Sequence, residues 1–147
     1  MNIPVVNVPT LEALAYNVAD SDKLICPIMD ARRGNVFAAV YSRSNEGLEV
    51  VRKQEALSIE DLINDINSYG KDVIFVGDGI NVHQDYLRNY VRVDYVLAPV
   101  YIREQKASSV VGVAFDYIKK NKYVQSKDFK PVYLRKSQAE RELELKK

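Results

Sequence analysis

Ser58 stands three residues before Asp61, and after it Ile59, Leu62, Ile63 and Ile66 recur at the i, i+3, i+4, i+7 spacing. A side-chain oxygen at that first position satisfies backbone donors that a helix start leaves open, and apolar residues so spaced fall on one stripe. The segment therefore predicts a helix that starts at Ser58 and packs on a core. It also divides the chain, because the residues before it are grouped in short apolar runs rather than stripes. Leu24 to Met29 reads as a buried strand, residues 35–43 (NVFAAVYSR) as a second and Leu48 to Lys53 as a third. Asp30 to Gly34 and Ser44 to Gly47 are short enough to join them as hairpins. A three-stranded antiparallel meander is thus expected before the helix.

After the helix the pattern alternates. Asp72 to Val76 and Val93 to Ala98 read as buried strands, with Val82, Tyr86 and Tyr90 marking one face of a helix between them. A strand, helix, strand run implies a parallel, right-handed unit. Val110, Ala114, Tyr117 and Ile118 stripe a further helix, and Pro131 begins a tail that reads as helical from about Ser137. Ahead of the meander, Thr10 is placed to cap a helix over Leu11 to Ala19. Three antiparallel strands followed by helix, strand, helix, strand, helix is the order of an α/β RNase H-like domain, the unit that also builds each half of the actin-like and sugar kinase superfamily.

At 147 residues the chain has the size of one domain. Its formal charge of +1 supplies no overall field to draw it onto nucleic acid or an anionic membrane, so any RNA contact must be local. Cys26 is the only cysteine of the sequence, which excludes an internal disulfide, and its apolar run makes it read as a core thiol. The amino terminus lacks the basic and apolar regions of a secretory signal, and no run approaches the ~20 apolar residues of a membrane span. A cytoplasmic location without membrane contact is expected.

Three groups of residues could carry chemistry. Asp30 to Gly34 (DARRG) sits where an actin-like protein places a phosphate-binding hairpin, and Gly77 to Gly79 (GDG) sits between a strand and a helix. Phosphate binding needs backbone open to close approach. Arg32 and Arg33 fill the first loop and Asp78 puts a negative charge in the second, so Asp30, Gly34, Gly77 and Gly79 read as degenerate phosphate-loop positions in plain turns. The third group is a set of carboxylates, Asp30, Glu60, Asp61, Asp78 and Asp116, that a metal-dependent RNase H-like nuclease would need to gather around two ions. His83, near Asp85, reads as a solvated polar residue without metal-ligand companions, and the ten tyrosines read chiefly as core residues with wet hydroxyls. No cofactor is expected.

VPTLEALA (residues 8–15), PIMDARRGNVFAAVY (27–41), VGDG (76–79) and PVYLRKSQAE (131–140) resemble, in order and separation, the corresponding segments of the TsaB family of tRNA threonylcarbamoyladenosine biosynthesis proteins. The MDARRG segment and the P-x-YLR segment are the distinctive parts. The resemblance implies a two-lobed actin-like fold of which this chain carries the second lobe only. Residues 1–130 would be that lobe and 131–147 a tail helix, with the amino-terminal lobe absent. It further implies a non-catalytic scaffold role beside a TsaD-like catalytic paralogue and a TsaE-like ATPase, despite an older glycoprotease label for such proteins. A homodimer that uses the tail is expected as well. The nuclease remains the enzymatic alternative, and a local tRNA-binding module using Arg32, Arg33, Arg135 and Lys136 is a third reading.

Overall fold

The computed structural model describes residues 3–18 and 21–134. A short strand, β1 (Pro4–Val5), precedes helix α1 (Thr10–Ala15). The meander follows as β2 (Leu24–Asp30), β3 (Asn35–Ser44) and β4 (Gly47–Ser58), and leads into α2 (Ile59–Tyr69). Strand β5 (Val73–Val76), helix α3 (Gly79–Tyr90) and strand β6 (Tyr95–Leu97) form the strand, helix, strand unit. Helices α4 (Val100–Arg103) and α5 (Ala107–Lys119) and a short strand β7 (Val124–Gln125) complete the described chain.

The five central strands form one sheet in the order β4-β3-β2-β5-β6. The β2–β3 and β3–β4 pairs are antiparallel, and β2–β5 and β5–β6 are parallel. Side chains of a strand alternate between faces, and the two cores follow that alternation. Leu24, Cys26 and Ile28 of β2, with Val36, Ala38 and Val40 of β3 and Val73 and Phe75 of β5, join the α2 and α3 residues Leu62, Ile63, Ile66, Ile80 and Leu87. Ile25, Ala39, Tyr41 and Val76 point the other way, against Leu11, Leu14 and Ala15 of α1. Strand β2 is therefore buried on both faces. Edge strand β4 carries two extra residues opposite β3, between the Ala38, Val40 and Tyr41 positions. Such bulges blunt an exposed edge against pairing with another chain.

The Ser58 start forms as read. The Ser58 hydroxyl accepts from the Asp61 N–H at 3.0 Å and donates to the Asp61 carboxylate, and Gly70 ends α2 in the left-handed conformation.

Several expectations need correction. Thr10 is the first helical residue of α1 rather than its cap. Pro9 holds the cap position without a side-chain bond, and the helix ends at Ala15. Asn17 instead spends its amide on the carbonyls of Ile102 and Glu104, which draws the chain out of the helix. The buried face of α3 is Ile80, His83 and Leu87; of the expected stripe Tyr86 packs half-buried against the core, whereas Val82 is 61% exposed and Tyr90 is exposed as well. On α5, Val110 and Ile118 are exposed and the buried positions are Ser109 and Val113. The cause is that α5 packs on α1 through small and polar residues. Ser109 donates to the Asn17 side chain, Tyr117 donates to Glu12, and a Cβ on Gly112 would lie 2.5 Å from the Tyr16 ring. Strand β4 runs further than Leu48 to Lys53, β6 is shorter than Val93 to Ala98, and β1, β7 and α4 have no counterpart in the sequence reading. The tail helix expected from Ser137, with Arg135 and Lys136, lies outside the described residues.

Candidate functional site

Parallel strands β2 and β5 end side by side, and the two loops singled out in sequence follow them directly. This carboxyl edge is where open α/β sheets receive ligands. Asp30 closes β2. Its Oδ1 accepts from the Arg32 N–H at 2.9 Å, and the loop is fastened by Ala31 N–H to Asn35 O and Asn35 N–H to Arg32 O. Arg32 and Arg33 both adopt left-handed backbone, with φ of 63° and 56°, ahead of Gly34 at 73°. That conformation costs a residue with a side chain about 1–2 kcal/mol, and asparagine tolerates it better. Arg33→Asn is therefore expected to raise stability by roughly 0.5–1 kcal/mol in urea unfolding. A loss of stability would contradict the left-handed placement. Arg32 and Arg33 are both exposed.

The GDG turn is explained by packing. Gly77 has φ of 114°, and a Cβ there would stand 2.2 Å from the Ile28 carbonyl oxygen; one on Gly79 would stand 2.9 Å from the same atom. The two glycines let the turn lie against the backbone of β2. Asp78 between them is exposed.

His83 corrects the reading of a solvated residue. It is 7% exposed, and its buried Nε2 makes no hydrogen bond among the described residues. That nitrogen lies 3.7 Å from Asp30 Oδ1, across the gap between α3 and the end of β2. The sequence signal was the i, i+3, i+7 spacing of Ile80, His83 and Leu87, with a polar residue in the middle of the stripe.

The five carboxylates do not converge. Asp30 holds its loop, Asp61 is committed to the α2 cap, and Asp116 lines a polar cavity of about 830 Å³ with Arg43 and Lys120 at the far end of β3. Among the described residues, no group of three or more His, Cys, Asp or Glu side chains is placed to share a metal ion. Cys26 is wholly buried, and burial pushes its thiol well up from its ordinary range, which keeps it unreactive. No helix among the described residues is long and apolar enough to cross a membrane.

The family model of TsaD, tRNA N6-adenosine threonylcarbamoyltransferase, matches residues 1–143. The chain belongs to the TsaD family. Within it the likeness is of the TsaB/YeaZ type. The tRNA threonylcarbamoyladenosine biosynthesis protein TsaB of Bacillus subtilis (strain 168) is 33% identical over 89 residues, which are 60% of this chain and 39% of that protein. A crystal structure of a protein with similarity to peptidase YeaZ, from Pseudomonas aeruginosa, superposes with a TM-score of 0.71 at 19% identity, covering 90% of this chain and 59% of that one. YeaZ from Pseudomonas aeruginosa superposes with a TM-score of 0.67 at 17% identity, covering 88% and 60%. The chain therefore shares the mixed α/β fold of the two solved structures and spans less than two thirds of each of these three proteins. The resemblance read from MDARRG and P-x-YLR is borne out at the level of family.

Proposed function

We propose that this chain is a non-catalytic scaffold or interaction subunit of the tRNA threonylcarbamoyladenosine modification system, supporting a TsaD-like catalytic paralogue. The observation that carries the non-catalytic reading is the state of the two loops at the strand ends. The backbone approach that glycines could give a phosphate is used at Gly77 and Gly79 for packing on Ile28, and Asp30 is bound to its own loop. A TsaE-like ATPase as a further partner, a homodimer and a cytoplasmic location belong to the same reading. The expected result is co-elution of the chain with the TsaD-like paralogue on size exclusion, with no turnover of ATP, peptide or nucleic acid by the chain alone. Light scattering on the intact chain tests the homodimer, and a monomer would remove it.

Exposed Arg32 and Arg33 favour a second reading, in which the loop after β2 touches tRNA within the complex. Affinity at such a contact should fall steeply with salt. For the nuclease alternative, the assay is RNA–DNA hybrid with magnesium or manganese. Cleavage that disappears in Asp30→Asn and Asp78→Asn would overturn the scaffold reading.

A further inference from the structure

Residues of α2 and α3, together with Arg92 beyond α3, line a cavity of about 410 Å³ walled by Glu60, Asn64, Asn67, Tyr86, Tyr90 and Arg92. It lies apart from the loops at the strand ends. The ring of Tyr90 rests on Tyr86 with centroids 4.4 Å apart and planes tilted by 30°. Tyr90 is nevertheless 54% exposed. This platform is held in place. Asn67 Nδ2 donates to the Tyr90 carbonyl at 3.0 Å and its Oδ1 accepts from the Arg92 N–H at 2.8 Å, fastening the end of α3 to α2.

The open donors and acceptors on the rim are suited to a nucleotide. Arg92 is exposed, and neither its guanidinium nor the Asn64 amide makes a hydrogen bond or ion pair among the described residues. Glu60 stands on the first turn of α2. It lies close enough to Tyr86 that, after desolvation, it is the main influence raising that hydroxyl above its ordinary range. A carboxylate would repel a phosphate but accept from an exocyclic amine, whereas Arg92, which also lines the cavity, suits the phosphate. Aromatic rings carry unpaired bases by stacking, whatever the base, and neighbouring polar groups then select among them. A peptide side chain would find little apolar wall, since Ile63 at the base of the cavity is 2% exposed.

We propose that this groove is a stacking site for one unpaired, amine-bearing nucleotide of tRNA. Tyr90 is the platform, Arg92 the phosphate contact, and Glu60 with Asn64 the acceptors for the base amine. The inference rests on the tRNA modification reading above and adds to it a contact surface and the class of ligand.

The test is fluorescence anisotropy of the full chain with a labelled, unmodified tRNA transcript, beside capture of the TsaD-like paralogue by the same variants. Tyr90→Ala is expected to weaken tRNA binding about tenfold, within the range of one lost base stack. Tyr90→Phe should bind as the parent does. Arg92→Ala should weaken binding and flatten its salt dependence by about one unit of slope. Arg92 is exposed, so this variant keeps the test standing should Tyr90→Ala fold poorly. Capture of the paralogue should be unchanged in all three. Tyr90→Ala and Arg92→Ala chains that bind tRNA as tightly as the parent, or no tRNA binding by the parent chain, overturn the groove and leave the scaffold reading intact. Failure of the parent chain to capture the paralogue overturns the scaffold reading instead.

Discussion

Gly77→Ala is expected to cost about 3 kcal/mol or more, enough to remove much of the stability of a domain this size. The added Cβ would lie 2.2 Å from the Ile28 carbonyl oxygen and 2.9 Å from the Leu14 side chain, on backbone with φ of 114°. A backbone oxygen cannot swing away as a flexible side chain could, so either the turn or the centre of β2 must move. Gly34→Ala is the matched control. It too has positive φ, at 73°, yet its Cβ would meet nothing within 4 Å, so only the backbone conformation is penalised, by about 1 kcal/mol. Urea midpoints of the two variants separate close approach from conformation. Equal, small losses would show that the GDG turn does not lie on β2, and the packing account of its glycines would fail.

Phe75→Ala should cost about 3–5 kcal/mol. Phe75 is fully buried on β5, an interior strand between β2 and β6, and it packs edge-on to Tyr95 of β6 with centroids 6.1 Å apart at 75°. Truncation leaves a cavity between the sheet and helices α2 and α3, and also removes the aromatic contact, worth roughly 0.5–1.5 kcal/mol. Denaturant unfolding with an unchanged slope would place the whole loss in the native core. A cost of only ~1 kcal/mol would mean that Phe75 does not fill the core between the sheet and helices α2 and α3.

Much of this architecture is legible in sequence because period-2 and period-3.6 patterns meet at Ser58. The meander could be read because β2 and β3 are buried runs broken by short polar turns, and α2 because its stripe has no interruption. The α3 face was misread for a physical reason. Val82, Tyr86 and Tyr90 look like a stripe, but the contact of Gly77 and Gly79 with Ile28 rotates the helix so that Ile80, His83 and Leu87 face inward. That rotation depends on a tertiary contact some fifty residues away, which local spacing cannot encode. It also hid both features that single-residue chemistry missed, the burial of His83 beside Asp30 and the exposure of Tyr90 over the α2–α3 groove. On α5, helix-on-helix packing through Ser109 and Gly112 reversed the usual link between apolar character and burial. DARRG is legible as a turn, but the left-handed backbone of Arg32 and Arg33 is not, since arginine is a poor choice for it.

As proposed above, this TsaD-family chain supports a partner rather than turning over substrate. Titration calorimetry of the full chain with ATP and, separately, with the TsaD-like paralogue tests it most directly. The account predicts saturable binding of the paralogue and no measurable ATP binding. A micromolar dissociation constant for ATP, about −8 kcal/mol of binding free energy, together with no heat on adding the paralogue, would contradict it.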